Sequence, residues 1–599
     1  MRHTRIEDLT PVLERCFFDR VIKPGRYIGG EVNQVRKDLS SCDVRIALCF
    51  PDVYELGMSY NGMAILYWIL NQMDGVAAER VFAPWIDAEQ VLRSSRIPLF
   101  TLESKAPVAG FDIVGFSLTT ELCYTNVLNM LDLAGLAIHS KDRSEHDPIV
   151  IAGGGMAQCA EPMAGFIDAF ILGDGEQAVV ELVHLFRQCR SAGMGKRGLL
   201  AELARRFQWA YVPSLCDPQY QGNRLVAIRP STPCISVYRQ AAVVEDLDTA
   251  PVPTRPIVPF VQAIHERINL EIMRGCPGRC RFCQASFCKR PIRLRSPQTI
   301  LRLAKECYRS TGLEDICLLS LSSADYPGLA DLIRCLNQYF QPLHVGISVP
   351  SLRVDRGLVG VPELVASVRK SGLTMAVEAA SERLRAVINK PIRQEDLFAA
   401  AQAAYDAGWH RLKLYFMVGL PGETESEVKQ IVHLAAGLSS LRSGRPGHVA
   451  CTVSWFVPKP HTPFAWLGQV PRSYLEQARS WILAEKARLR PHSLTFRFHN
   501  IDRSILEAAL GRADRTVGSV IETAWRSGAR FDLWDECFSP QVWRDAFASK
   551  RMDLEALASK AFTTDQFLPW EHLGGPQKGY LLQHLKEAME LAGQQQAWS

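Results

Sequence analysis

The sequence predicts an α/β protein built from a doubly wound parallel sheet, a partial (β/α)6 barrel and a helical C-terminal domain. Short β-branched runs alternate with helix-like segments twice along the chain, and a proline-rich stretch separates the two alternations. The chain length agrees with a division into several domains, because 599 residues with 47% hydrophobic content suffice for several packed cores. We therefore divide the chain into residues 1–220, a linker at 221–264, a core at 265–470 and a C-terminal domain at 471–599.

The first alternation contains four runs that are typical of buried parallel strands. They are Asp43–Pro51, Asp112–Thr119, Pro148–Gly155 and Asp168–Glu176. The runs are short and β-branched, glycines follow them closely, and helix-like segments lie between them, which favours a doubly wound sheet. The proline-rich stretch Glu245–Gln262 then indicates an extended linker.

The second alternation contains six strand-like runs, which indicates a parallel barrel or part of one. The six runs are Ile268–Gly275, Asp315–Ser322, His344–Ser351, Leu373–Ala380, Arg411–Pro421 and His448–Pro458. In such a barrel the chemistry lies at the carboxyl ends of the strands. From about Ser473 onward the sequence is helical and aromatic, without repeats, as expected for a smaller helical domain.

A cluster of cysteines directly follows the first strand of the second alternation. Cys276, Cys280 and Cys283 have C-x3-C-x2-C spacing, and Cys288 lies five residues further on. Thiolates so close together repel each other unless a metal ion or cluster holds them. A zinc site with Cys288 as fourth ligand stays open, although no second Cys or His pair completes a zinc ribbon. An electron-transfer cluster also needs four protein ligands, whereas three ligands on a four-iron cluster leave one iron open for chemistry.

The loop "CPGRCRFC", placed after the first of six βα units, resembles that of the radical S-adenosylmethionine (radical SAM) enzymes. The resemblance implies a 4Fe–4S cluster on Cys276, Cys280 and Cys283, with S-adenosylmethionine chelated at the open iron. It also implies reductive cleavage of S-adenosylmethionine to a 5′-deoxyadenosyl radical, and a low-potential electron donor of the flavodoxin or ferredoxin type. No residue is assigned to catalysis on the substrate.

The resemblance carries over to positions that contact S-adenosylmethionine. Phe282 matches an aromatic position that contacts the adenine. At the end of the second strand, "LSSADY" replaces the usual glycine-rich acidic motif, and Ser322 and Ser323, with Asp325, can accept hydrogen bonds from the methionine ammonium. These residues are therefore expected to line the cofactor site.

Two further positions follow from the fourth and fifth strands. Glu378 matches a glutamate that contacts the cofactor, and an ion pair with Arg383 or Lys390 is the structural alternative. Gly419 lies in the segment that passes the adenine, where a glycine allows close backbone approach. The segment around His461 extends the resemblance to methylthiotransferases, and two nearby prolines favour a structural role for that histidine.

The N-terminal sheet resembles a cobalamin-binding domain with one departure. Such domains carry Asp-x-His-x-x-Gly after their first strand, and here Asp52, Tyr54 and Gly57 occupy the pattern. Tyrosine is not expected to replace imidazole on cobalt, so cobalamin could bind only without that bond, or the fold serves another purpose. The glycine-rich runs "AGGG" and "ILGDGEQA" are weaker signals of the same kind.

Composition limits the cellular locations and the binding partners that we expect for this protein. The charged N-terminus and the absence of a long apolar run predict a cytoplasmic protein without a membrane span, and 17 scattered cysteines suggest reduced thiols. A net charge of +5 permits nucleic-acid contact without arguing for it. Three hypotheses follow: radical modification of RNA or another macromolecule, cobalamin-dependent methyl transfer or rearrangement on a small molecule, and a non-catalytic iron–sulfur protein.

Overall fold

The protein is described by a computed structural model that covers residues 7–349, 373–442 and 444–593. The N-terminal sheet consists of β1 Val44–Phe50, β2 Val76–Phe82, β3 Ile113–Ser117, β4 Ile149–Gly153, β5 Ala169–Ile171 and β6 Ala210–Tyr211. Its order is β2-β1-β3-β4-β5-β6, and all strands are parallel except β6. The parallel part has the flavodoxin-like order, whose ligand crevice lies at the carboxyl ends of β1 and β3. The predicted doubly wound sheet is confirmed.

Helices cover both faces of this sheet. In the N-terminal half they are α1 Thr10–Cys16, α2 Tyr54–Gly57, α3 Asn61–Gln72, α4 Ile86–Ser95, α5 Tyr124–Leu133, α6 Gly175–Ser191 and α7 Lys196–Arg206. The apolar sides of α3, α6 and α7 form one core with the sheet, and α4 and α5 contribute to a second core on the other face. Burial on both faces explains why the strands are almost continuously apolar.

An antiparallel hairpin falls across the predicted start of the linker. Its strands are β7 Cys216–Gln221 and β8 Arg224–Pro230. Beyond the hairpin, residues 231–264 contain neither helix nor strand, and only isolated bridges such as Val32 with Val258 tie this stretch to other segments. The absence of helix and strand agrees with a linker at Glu245–Gln262, whose extended character stays a prediction.

The barrel contains the six predicted strands and a seventh. They are β9 Ile268–Glu271, β12 Asp315–Leu319, β13 Gly346–Ser348, β14 Leu373–Glu378, β15 Arg411–Val418, β16 His448–Trp455 and β17 Leu494–Phe498, and a short ladder joins β10 Met273–Arg274 to β11 Arg293–Leu294. All seven barrel strands are parallel, in sheets of order β13-β12-β9 and β14-β15-β16-β17. The predicted third strand ends at residues 350 and 351, which lie outside the described residues.

The remaining helices surround the barrel and form the C-terminal region. They are α8 Gln284–Cys288, α9 Pro297–Thr311, α10 Leu329–Phe340, α11 Glu382–Val387, α12 Gln394–Asp406, α13 Glu425–Ser440, α14 Arg472–Leu489, α15 Ile501–Gly511, α16 Gly518–Arg526, α17 Pro540–Ser549, α18 Leu554–Ser559 and α19 Lys578–Leu591. The apolar residues of α15 to α19 share one core with the second face of the N-terminal sheet. Within the described residues, no helix combines the length and apolarity needed to cross a membrane.

Candidate active site

The cysteine loop leaves the barrel at the carboxyl end of β9 and returns to it. Met273 pairs with Leu294 and Arg274 with Arg293, so residues 275–292 form a loop closed by a two-pair ladder. Gly275 begins this loop with φ of +92°, and a Cβ there would lie 2.6 Å from the carbonyl oxygen of Lys289. Only glycine fits this close crossing of the two loop ends.

The three predicted ligands lie on this loop with different exposure. Cys280 is buried, and Cys276 and Cys283 are half-buried. The Cys283 amide donates to the Cys280 carbonyl at 3.0 Å, which forms a tight turn between them. In the described parts of the chain, no three thiol, imidazole or carboxylate groups converge in a way that could hold a metal ion. The donor chemistry fits a three-thiolate cluster, while the ligand assignment stays a prediction.

The other residues predicted around the first two strands have local partners. Phe282 is half-buried against the core that includes α19. Ser322 and Ser323 are buried, and the Ser322 hydroxyl donates to Asp325 Oδ2 at 2.6 Å. The Ser323 hydroxyl lies 2.8 Å from that of Ser320. Because a hydroxyl that donates its proton keeps acceptor lone pairs, both serines can keep these partners and still accept from an ammonium group.

Glu378 ends β14 in an unusual backbone conformation. Its φ is +68°, in the left-handed region that non-glycine residues rarely adopt, and the β14 ladder is irregular at this point. Its Oε1 accepts from Lys390 Nζ at 2.9 Å, whereas Arg383 pairs with Glu427 instead. The Lys390 alternative offered by the sequence is therefore present, and the cofactor contact stays a prediction. Strain of this kind is typical of functional positions.

Gly419 follows β15 and also has positive φ, at +95°. A Cβ there would lie 2.9 Å from Val470 Cγ2, and the Gly419 amide donates to Glu423 Oε1 at 2.8 Å. The local fold therefore requires a glycine at this position. The expected close approach of this segment to the adenine stays a prediction. The predicted site residues all lie at or shortly after the carboxyl ends of β9, β12, β14 and β15, which are parallel within their two sheets.

A cavity of about 560 Å³ lies beside the cysteine loop. One side is the apolar face of the N-terminal sheet with α3 and α6, including Ile46, Ile113 and Ile151. Gly153, at the end of β4, also lines it, and a Cβ there would have no neighbour closer than 3.8 Å. The cavity therefore opens at the carboxyl edge of the N-terminal sheet, where open α/β sheets bind ligands.

The barrel contributes the opposite wall of this cavity. That wall includes Glu271, Met273, Arg274, Gly275, Lys289 and Leu319–Leu321. Arg274 links the two domains, since its guanidinium lies 2.6 Å from Glu176 and 3.3 Å from Asp174, as well as 2.8 Å from Glu271. Burial raises the pKa of the Asp174 carboxyl, but the charges of Arg274, Lys289 and Arg293 and the backbone amide of Val244 together outweigh it, and the net pKa is lowered. Asp174 is therefore ionised at neutral pH.

Sequence reasoning missed most of this wall. The runs around Gly153 and Asp174 carry only weak glycine-rich signals, and Arg274 and Lys289 carry no signal besides their position next to the cysteine loop. Their role depends on contacts between the N-terminal sheet and the barrel, which are distant in sequence.

Tyr54 does not line the cavity. Its hydroxyl donates to Glu31 Oε1 at 2.9 Å, its ring packs against Phe82, and the residue is fully buried. Burial and the neighbouring Glu31 charge raise its pKa. Tyr54 thus belongs to the buried ion-pair network of Arg80 with Glu31, and it is not placed to ligate a metal at the carboxyl edge of the sheet.

His461 is buried in an interface and has a structural role. Its Nε2 donates to the Gln158 carbonyl at 2.8 Å, and a Cβ on Gly575 would overlap its ring. Burial lowers its pKa to about 4, so it is neutral at physiological pH. This contact joins the barrel to both neighbouring regions.

Replacement of Tyr54 by phenylalanine tests its role directly. We expect Tyr54→Phe to lower the free energy of unfolding by about 1–3 kcal/mol, because the buried Glu31 carboxylate loses a donor. Titration with hydroxocobalamin should give the same absorbance change in the variant and in the parent protein. Urea unfolding and visible spectroscopy measure the two effects. A corrinoid spectrum that differs between the two proteins would contradict this placement of Tyr54.

Family models match both the N-terminal sheet and the barrel. The model for the N-terminal region of radical SAM proteins matches residues 62–213, and the model for the radical SAM superfamily matches residues 270–435. The chain belongs to the radical SAM superfamily. The second match includes the cysteine loop and every other predicted site residue. As a radical SAM enzyme, the protein uses a 4Fe–4S cluster and S-adenosylmethionine, which it cleaves reductively.

Individual relatives agree with this assignment. An uncharacterized protein of Methanocaldococcus jannaschii, MJ0966, is 27% identical over 80% of this chain and 90% of its own length. The ribosomal protein uS12 methylthiotransferase RimO of Desulfotalea psychrophila is 28% identical over 31% of this chain. The alignment spans only 43% of that RimO sequence, so it concerns part of the methylthiotransferase and not the whole protein.

Solved structures of radical SAM enzymes are also similar. TsrM from Kitasatospora setae, with cobalamin and a 4Fe–4S cluster bound, is 12% identical, with a TM-score of 0.49 over 84% of this chain and 99% of that one. OxsB, with aqua-cobalamin and S-adenosylmethionine bound, is 12% identical, with a TM-score of 0.48 over 92% of this chain and 79% of that one.

Proposed function

We propose that this radical SAM enzyme acts on an organic molecule bound in the cavity beside the cysteine loop. One observation carries the proposal: the cavity wall includes Gly275 and Lys289, at the two ends of that loop, and Leu319–Leu321, directly before Ser322. A molecule in the cavity would therefore lie next to the segments expected to hold both cofactors. When bound, the cluster supplies the electron that cleaves S-adenosylmethionine, and the chain's own residues select what the resulting radical reaches.

The character of the cavity supports an organic ligand with a large apolar surface. A volume of about 560 Å³ is in the range of small-molecule sites, and isoleucines and leucines dominate the sheet side. The charged residues in the lining are Arg274 and Lys289, with Asp174, Glu176 and Glu271.

A cavity-filling variant tests this proposal. Gly153→Leu places a side chain into open space in the cavity, and we expect it to reduce turnover of the cavity-bound substrate by at least about tenfold, because the added atoms occupy ligand volume. Gly165→Leu is the matched control, since Gly165 is exposed and a Cβ added there would have no atom within 4 Å. The substrate pool is a metabolite extract, and the measurement is mass spectrometry of products formed with S-adenosylmethionine and dithionite.

The same assay separates the proposal from its competitors. Both glycine variants should still assemble the cluster, so a loss of product in Gly153→Leu alone points to the cavity. Equal turnover in Gly153→Leu and the parent protein would contradict a cavity-bound substrate. Changed nucleosides in cellular RNA, with no changed metabolite, would instead favour a macromolecular substrate.

Cobalamin is the second candidate for the cavity, either as a methyl carrier or as a cofactor in rearrangement. Two observations favour it: the flavodoxin-like strand order places a ligand at this edge of the sheet, and the cavity extends between the sheet and the helices α3 and α6. Binding would occur without a protein imidazole, since Tyr54 occupies the histidine position and no histidine lines the cavity within the described chain.

The RNA hypothesis rests on the methylthiotransferase-like core alone. The RimO relatives are named for a ribosomal protein and not for RNA, and they align with about a third of this chain. Radical chemistry also requires a low-potential electron donor, for which a flavodoxin or ferredoxin is the expected class. We place the protein in the cytoplasm, where such donors operate and where its many thiols stay reduced.

A further inference from the structure

Helix α19 lies against the cysteine loop although the two are far apart in sequence. Tyr580, His584 and Glu587 follow each other at intervals of four and three residues, so they share one face of this helix. That face contacts the loop. Its Glu587 side chain pairs with Arg281, which lies 306 positions earlier in the chain. The C-terminal helix therefore forms part of the surroundings of the predicted cluster ligands.

Aromatic contacts form the first part of this interface. The guanidinium of Arg279 lies 5.8 Å from the centre of the Tyr580 ring. The Phe287 ring lies 6.2 Å from that of Tyr580 and 6.0 Å from that of His584, and the His584 ring meets the Tyr580 ring edge-on. Contacts on both sides of Cys280 and Cys283 thus attach the loop to one helix face.

An ion pair forms the second part. Arg281 stands between Cys280 and Cys283, its side chain is only 5% exposed, and its Nη2 donates to Glu587 Oε2 at 2.8 Å. Its Nη1 donates to the carbonyl oxygens of Ala386 and Val387 at the end of α11. A buried guanidinium needs a counter-charge, and Glu587 is the carboxylate that the C-terminal helix supplies.

The other side of α19 anchors the helix to the body of the protein. Leu581, Leu585 and Ala588 are buried in the core that also contains Phe287. Just beyond the helix, a Cβ on Gly422 would lie 2.8 Å from Ala592, so the chain passes closely over the loop after β15. A helix fixed in this way can restrain the loop that it contacts.

We propose that Tyr580 and Glu587 are positioning residues that restrain the cysteine loop and thereby help it to retain the iron–sulfur cluster. A loop with three ligand cysteines loses conformational freedom when it binds a cluster, and a partner that restrains it beforehand reduces this cost. The contacts on Arg279, Arg281 and Phe287 provide that restraint from a helix outside the barrel. The C-terminal helix and the cysteine loop are therefore coupled. Loss of the contacts between them increases the conformational freedom of the loop.

The experiment uses the full-length chain with Glu587→Gln, Tyr580→Ala and the conservative Tyr580→Phe. The first readout is amide hydrogen exchange across residues 276–290 in the cluster-free protein, and the second is the rate of iron release to a chelator after reconstitution. We expect exchange and iron release to rise about five- to tenfold in Glu587→Gln, because a buried Arg281 loses its counter-charge. Tyr580→Ala should act in the same direction, and Tyr580→Phe should restore parental values because it keeps the ring.

Glu590→Gln is the matched control, since Glu590 is exposed on the same helix and its replacement removes the same charge. It should leave both readouts at the parental level. Glu587→Gln and Tyr580→Ala proteins that match Glu590→Gln in both readouts would overturn the proposal. A rise in exchange over the whole chain would also overturn it, because the helix would then support general folding. None of these measurements depends on the substrate, so their failure and that of the cavity proposal are distinguishable.

Discussion

Replacing Cys280 with alanine is expected to abolish both the 4Fe–4S cluster and the formation of 5′-deoxyadenosine. Cys280 is the buried member of the three predicted ligands, and its backbone carbonyl accepts from the amide of Cys283. With two thiolates left, the loop can no longer hold a four-iron cluster in the three-ligand form that leaves one iron open. Iron and sulfide analysis, electron paramagnetic resonance and liquid chromatography of the S-adenosylmethionine products measure the loss.

Cys288→Ala is the matched control for this experiment. Cys288 is the last residue of α8 and lies outside the C-x3-C-x2-C spacing, and a cluster with one open iron needs only three thiolates. We therefore expect this variant to keep the cluster and the cleavage activity. A cluster that requires Cys288, in a protein that releases no 5′-deoxyadenosine, would favour the electron-carrier interpretation. Stoichiometric zinc would favour the structural zinc site.

The sequence was sufficient to predict the strands whose pattern is simple. The six barrel strands and four strands of the N-terminal sheet are near-continuous apolar runs, and the structure contains all of them. Strand β2, Val76–Phe82, was missed because Glu79 and Arg80 interrupt its apolar pattern. Both are buried, with Arg80 paired to Glu31 and Glu103, and these partners come from other segments. A pattern that depends on such pairing is not visible locally.

The site was predictable only where one segment supplies it. The cysteine spacing identified its loop, because all its residues lie together in the chain. The cavity and the contact of the C-terminal helix with the cysteine loop were not predicted, since Gly153 and the barrel residues line one cavity, and Glu587 contacts Arg281, only in the folded protein. Tyr54 occupies the histidine position of a familiar motif, and the sequence predicts that it does not ligate cobalt. What the sequence could not predict is the buried polar network with Glu31 that its side chain joins.

Glu378→Gln is expected to weaken S-adenosylmethionine binding about 10- to 100-fold, as for the loss of a charge-assisted hydrogen bond worth about 1.5–3 kcal/mol. Glu378 lies at the carboxyl end of β14 with φ of +68°, and its carboxylate is only 17% exposed. A strained backbone that is retained at a strand end indicates that the side-chain position matters. Glutamine keeps the backbone conformation and the size, so the variant removes mainly the charge.

The Lys390 ion pair provides the competing explanation, and a second pair of variants separates the two. If Glu378 only pairs with Lys390, Glu378→Gln and Lys390→Met should both lower the unfolding midpoint and leave the dissociation constant unchanged. If Glu378 contacts the cofactor, Glu378→Gln should weaken binding more than Lys390→Met does, because the lysine would act only by orienting the carboxylate. Glu395→Gln, on the exposed first turn of α12, is the charge-matched control.

Calorimetric titration of S-adenosylmethionine into anaerobically reconstituted protein gives the dissociation constants, and cluster content is measured on the same samples. Only variants that hold a full cluster are compared, because a lost cluster would itself weaken S-adenosylmethionine binding. Unchanged affinity for S-adenosylmethionine in Glu378→Gln, with a lowered unfolding midpoint, would show that Glu378 has a structural role. A tenfold or larger loss of affinity at full cluster occupancy would instead identify the strained end of β14 as part of the cofactor site, and would explain why a non-glycine residue is kept in that conformation.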